Sequence, residues 1–207
     1  RGQGRGEPVD AATLRLEVFA RDVDRLADAM ELERFALLGH SFGAIIATWH
    51  AINLGTAEAY VISGGGDSSD NLMRDVGASL EALGEAAAPI AESWERETSV
   101  QTEEELKELL LVQMPFHFAG EPPPGYGQET VGSPDVLRHF ANVGYGDFHY
   151  VADLARVTKP TLVIVGEYDR TTTPRAASSV FHRRKTRSAH QSGARPSPHP
   201  ACVAAKR

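Results

Sequence analysis

The chain has 207 residues, 42% of them hydrophobic and 24% charged, with a formal net charge of −7 at pH 7. Those values fit about one globular domain, long enough to bury a core. No apolar run reaches the roughly 18 residues of a membrane span, and no basic-then-apolar start resembles a secretory leader. The single cysteine, Cys202, excludes an internal disulfide, so a cytoplasmic setting is the expectation. Arg1 stands where a translated chain has Met, which reads as a processed or incomplete chain.

Residues 13–31 predict a helix, with Phe19, Val23, Leu26 and Met30 at helical spacing. Phe35-Ala36-Leu37-Leu38 is a short apolar run, expected as a strand buried on both faces and ending at Gly39. Residues 43–54 read as a buried helix with Gly55 as its C-terminal cap. Ala59-Tyr60-Val61-Ile62 is a second strand, closed by Gly64-Gly65-Gly66. Helix, strand, turn, helix, strand in that order implies a parallel sheet with helical crossovers, an α/β fold.

Residues 67–155 change character, becoming acidic and helical. Thr102-Glu103-Glu104-Glu105 forms a capping box ahead of Leu106, Leu109 and Leu110. Three consecutive prolines between Gly120 and Gly127 require a loop, and Ser133-Pro134 opens another helix. Trp94, Phe116, His117, Phe118 and Tyr145 belong either to a pocket lining or to the core of this segment, core being the commoner fate of aromatics. Pro160 to Val165 is the clearest strand and ends in Gly166-Glu167-Tyr168-Asp169. Beyond residue 181 the composition breaks. Residues 182–207 carry seven Lys/Arg, no Asp or Glu, and none of Leu, Ile, Phe, Met, Trp or Tyr. A segment so poor in apolar surface is expected to be disordered. A shifted reading frame in a GC-rich gene would also produce it. Its basic charge is set against an acidic body, so nucleic acid is not an expected partner, and neither is a membrane.

Two positions carry candidate chemistry. Gly39-His40-Ser41-Phe42-Gly43 fits G-x-S-x-G between a strand and a helix. A sharp turn there exposes the Ser41 hydroxyl, with glycines two residues to either side relieving crowding. The helix that follows aims its first amides at the same point, so the backbone N–H of Phe42 can serve half of an oxyanion hole. Asp169 lies just past the carboxyl end of a strand, where α/β sheets place ligands and where an acid can orient a catalytic imidazole. The plainer reading of Asp169 is a turn cap before Thr171-Thr172-Thr173-Pro174.

Together these residues resemble the α/β-hydrolase superfamily. Arg1-Gly2-Gln3-Gly4-Arg5 is similar to the end of its R-G-x-G-x-S segment, Gly39 to Gly43 to its nucleophile elbow, and Pro160 to Asp169 to its acid-bearing strand. Within it the chain is most similar to proline iminopeptidase-like and small esterase-like members. His40 and Phe42 stand where the peptidase pattern usually has Gly and Trp, and Gly6 where the family usually has Ser. The resemblance implies a partial α/β-hydrolase fold: core segments at residues 1–66 and 156–181, a helical cap at 67–155, and a basic tail at 182–207. It implies Ser41 as nucleophile and Asp169 as acid, acting on an ester, amide or short peptide through an acyl-enzyme, with no metal or organic cofactor. It also implies four strands and a second oxyanion loop ahead of Arg1. The triad base is implied roughly 25–30 residues after Asp169. His199 has that spacing but lies between prolines, His182 follows too closely, and His190 has no strand before it. A hydrolase crippled by a missing base is the reading this favours. The alternative is a non-catalytic α/β binding or regulatory module.

Overall fold

The computed structural model describes residues 1–126 and 131–182. The expected disorder of the tail, and the candidates His190 and His199, lie outside the described residues. Helix α1 spans Leu16–Ala29, β1 Ala36–His40, α2 Phe42–Asn53 and β2 Ala59–Ser63. Four helices follow: α3 at Ser69–Leu83, α4 at Ala88–Glu97, α5 at Glu103–His117 and α6 at Pro134–Asn142. The described chain then gives β3 at Thr161–Ile164 and α7 at Pro174–His182.

The three strands lie side by side in the order β1-β2-β3, all parallel. Leu38, Val61 and Leu162 share one row of the sheet, and Gly39, Ile62 and Val163 the next. Successive strand residues face opposite sides, so Tyr60 and Ile62 point into the core formed with α2, where both are buried. Among the described residues the opposite face is thinly covered: Leu38, expected to be buried, is 65% exposed, and the described helices flank β1 on one side only.

Helix α1 also departs from its expected face. Leu26 and Met30 are exposed, and the buried line runs through Leu16, Ala20 and Ala27. Small alanines let α1 approach α2 closely, which leaves the long side chains at the rim. Helix α2 is apolar nearly all round and ends as expected, with Gly55 at φ +65. Its buried His50 is fully satisfied. Nε2 lies 3.0 Å from Asp24 Oδ1 and Nδ1 2.8 Å from the Tyr60 hydroxyl. A carboxylate only accepts, so Nε2 carries the proton and Tyr60 donates to Nδ1. Thr56 donates a further bond to the same carboxylate oxygen at 2.6 Å. Burial pushes the Tyr60 phenol up to about 12.

Both helix starts read from the sequence in the 67–155 segment are present. Thr102 and Glu105 form the reciprocal capping box, and Ser133 accepts from the Val136 amide with Pro134 at the first helical position. Such caps contribute about 1 kcal/mol each. Two small apolar clusters are internal to the segment, one around Val76, Ile90 and Phe116, the other around Val100, Leu106 and Leu109. Its two ends are stitched together: Ser68 bridges His149, Tyr150 N–H donates to Asp67 at 2.7 Å, and Phe148 N–H donates to the Ser69 hydroxyl at 2.9 Å. Past that neck, Phe148, Tyr150 and Leu154 join the main core with α6 residues Val136 and Phe140.

Candidate active site

The site lies at the carboxyl ends of the three strands. The β1-to-α2 turn puts Ser41 at φ 53, ψ −120, a conformation that costs a non-glycine residue about 1–3 kcal/mol. Two bonds hold it there. Ser41 N–H donates to the Ser63 carbonyl of β2 at 2.9 Å, and the Ser41 carbonyl accepts from Ala44 N–H at 2.9 Å. The turn is so tight that a Cβ on Gly39 would sit 2.1 Å from the Gly43 carbonyl oxygen. A Cβ on Gly43 itself would meet nothing within 4 Å. The two glycines of the motif are therefore unequal. It is the Gly43 carbonyl that intrudes on residue 39, so only the first position demands glycine for space.

Ser41 is exposed, and its hydroxyl makes no capping bond to α2. The Phe42 amide is the first of the helix, one of those that no helical carbonyl can reach. The Phe42 ring packs 4.6 Å from Phe140 of α6 and edge-on to Phe19 of α1 at 6.3 Å, which fixes the amide from behind. Nothing in the local sequence signals that aromatic anchor.

Asp169, half-buried, follows β3. Its Oδ1 accepts from the amides of Thr171 at 2.9 Å and Thr172 at 2.7 Å, and its Oδ2 from the Thr172 hydroxyl at 2.7 Å. The turn-cap reading thus holds, and the turn itself aims the carboxylate. Among the described residues Oδ2 accepts only that one bond, and a carboxylate oxygen can accept a second. Gly64, at φ +58 past β2, lies between His40 and the Asp169 turn. A Cβ there would lie 3.0 Å from Thr172 Oγ1, 3.6 Å from His40 Cε1 and 3.7 Å from Asp169 Oδ2. His40 is exposed, with Nδ1 3.2 Å from the Ser63 hydroxyl.

The helical segment adds residues that sequence reasoning left unassigned. His117, at the end of α5, places Nδ1 3.2 Å from Thr171 Oγ1. The protein packed around its ring pushes the imidazole below the ordinary histidine value, while the Asp169 charge pulls it up. Arg170 donates to the carbonyls of Pro115 and Phe118, each at 3.1 Å. Phe116 is core, 1% exposed and edge-on to Trp94 at 4.9 Å. Tyr145 donates its hydroxyl to Glu97, and Phe118 packs edge-on to Tyr126. His182 ends α7. Among the described residues no histidine hydrogen-bonds to Asp169, and no group of three or more His, Cys, Asp or Glu is placed to hold a metal ion. No described helix is long and apolar enough to cross a membrane.

Comparison with known proteins agrees with this architecture. The alpha/beta hydrolase family profile matches residues 1–201, and the chain belongs to that family. An alpha/beta fold family hydrolase from Bacillus anthracis superposes with a TM-score of 0.66 at 15% identity, over 87% of this chain and 67% of that one. An esterase from Exiguobacterium antarcticum gives 0.65 at 16%, over 89% and 67%. A proline iminopeptidase-related protein from Thermus thermophilus gives 0.62 at 26%, over 88% and 65%. The chain thus spans about two thirds of the length of these structures and carries a corresponding part of their fold. No curated protein matches.

Proposed function

We propose that the chain is a serine hydrolase in which Ser41 attacks the carbonyl of an ester, amide or short peptide and forms an acyl-enzyme that water releases. The observation that carries this reading is Ser41 itself: strained, exposed, its hydroxyl unused by the helix it caps. Strain at an exposed nucleophile, held by two backbone bonds, points to function rather than to folding. The Phe42 amide stabilises the oxyanion, and Asp169 orients the base. Residues 67–155 act as the cap that shapes the substrate site. The esterase and iminopeptidase-related neighbours support a carbonyl substrate of this class.

No base is assigned: His199 has the family spacing and falls within the matched range, but it stands between Pro198 and Pro200 in place of the family's Gly-His pair. Loss of a triad base removes on the order of 10⁴- to 10⁶-fold in rate, so turnover by this chain is expected to be slight. A fluorophosphonate probe, which reacts with activated serines, tests the proposal. Labelling at Ser41 that disappears in Ser41→Ala supports it. No labelling, together with ligand binding that survives Ser41→Ala, replaces it with the non-catalytic binding module.

A further inference from the structure

Of the seven residues Asp169-Arg170-Thr171-Thr172-Thr173-Pro174-Arg175, four (Arg170, Thr171, Thr173 and Arg175) bond to helices far away in sequence. Arg170 binds the carbonyl end of α5, and Thr171 meets His117. Thr171 and Thr172 hold the Asp169 carboxylate. Thr173 and Arg175 both bind one group, the carboxylate of Asp75 in the middle of α3. Asp75 is 2% exposed. Its mid-helix position needs no cap, and a buried carboxylate is costly unless paired. Burial pushes Asp75 up, but the bonds from Arg175 and Thr173 outweigh it and hold the carboxyl below its ordinary range. Arg74, its neighbour on α3, adds a weaker contact at 3.4 Å.

Thr173 is the hinge of this arrangement. Its hydroxyl donates to Asp75 and also accepts from the Ala176 amide at 3.3 Å, while its carbonyl accepts from Ala177. The Asp75 charge therefore sits at the N-terminus of α7, where an anion is favoured, and fixes the point at which the loop ends and the helix begins. Between that point and the Arg170 contact lie only the residues that aim Asp169.

We infer that Asp75 is a positioning residue for Asp169: it locks the far end of the acid loop to α3 and so keeps the Thr171 and Thr172 amides on the carboxylate. The inference rests on Asp169 as the acid only for its catalytic consequence. The loop contact itself is independent of it.

Amide hydrogen exchange on Asp75→Asn tests this. Exchange at Thr171 and Thr172 is expected to accelerate at least tenfold while Ile45 and Ala47 of α2 keep their rates. Unchanged exchange at Thr171 and Thr172, or equal acceleration at every amide, overturns the inference. Should Asp75→Asn fail to fold, Arg175→Gln removes the exposed partner alone and is expected to give the same local pattern. Arg175→Lys, which keeps the charge, is expected to recover most of the protection, and failure to recover any counts against the ionic lock. Fluorophosphonate labelling run in parallel is expected to slow several-fold in Asp75→Asn. If the unsubstituted chain does not label, the hydrolase reading falls, while exchange at Thr171 and Thr172 still decides the role of Asp75.

Discussion

The two ends of α2 hold similar chemistry in opposite conditions. At its C-terminal end, Tyr60, His50 and Asp24 form a hydroxyl–imidazole–carboxylate chain with the connectivity of a catalytic triad. Yet Tyr60 is 1% exposed and His50 is fully buried, so no substrate can reach that hydroxyl. At its N-terminal end, Ser41 is exposed and its hydroxyl makes no bond to the helix it caps, while Asp169 is held in its own turn past β3. The buried chain satisfies polar groups that would otherwise be orphaned in the core. The exposed end leaves capacity open for a ligand. Connectivity alone does not mark a site; accessibility and unused valence do.

Breaking the tight turn is the largest expected effect. Gly39→Ala places a methyl group against a backbone oxygen at 2.1 Å and is expected to cost more than about 3 kcal/mol, or to prevent folding, as read by urea denaturation. Gly43→Ala, with open space at its Cβ, is the control that stays within about 1 kcal/mol. At the other end of the helix, His50→Leu leaves the Tyr60 hydroxyl buried without an acceptor and takes a partner from Asp24. A loss of about 2–3 kcal/mol is expected by thermal or chemical melting, with labelling of the folded fraction unchanged. Ser41→Gly sharpens the contrast from the opposite side. It relieves φ 53 and is expected to stabilise the fold by about 1 kcal/mol while abolishing labelling. Stabilisation by removal of the exposed Ser41 hydroxyl would identify strain kept for use.

The hydroxyl–carboxylate pair of Tyr145 with Glu97 lacks an imidazole and gives the smallest effect. Burial raises the Glu97 carboxyl above its ordinary range, against the bonds from Tyr145 and Gln113. An acid raised in the folded state contributes stability at pH below its unfolded value, and that contribution fades as pH rises through the folded value. The Glu97 contribution is therefore expected to decline from mildly acidic pH upward, read as the stability of the unsubstituted chain minus that of Glu97→Gln, by about 1 kcal/mol. A difference that grows with pH over that window would contradict the assignment.

The elbow was legible because its information is local. Apolar strand, Gly-x-Ser-x-Gly and apolar helix stand within twenty residues, and each half constrains the other. The three strands and the caps at Thr102 and Ser133 were legible for the same reason. The face of α1 was not, because which of several helical stripes is buried depends on what lies opposite, and here Ala20 and Ala27 won over Leu26 and Met30. The supports of the site were not legible either. Phe42 against Phe140, Arg170 against α5 and Asp75 against Arg175 join positions far apart in the chain, with no periodicity to announce them.

The bond from Ser41 N–H to the Ser63 carbonyl crosses from one strand to the next. Before β1 and β2 pair, only bonds from within α2, such as that of Ala44 N–H, remain on residue 41, and the turn is free to relax to an ordinary one. Any reactivity of Ser41 is then a property of the assembled sheet and absent from the newly made or unravelled chain. If Ser41 labels as proposed, a serine-directed probe doubles as a gauge of native fold, and a misfolded copy is expected to stay silent.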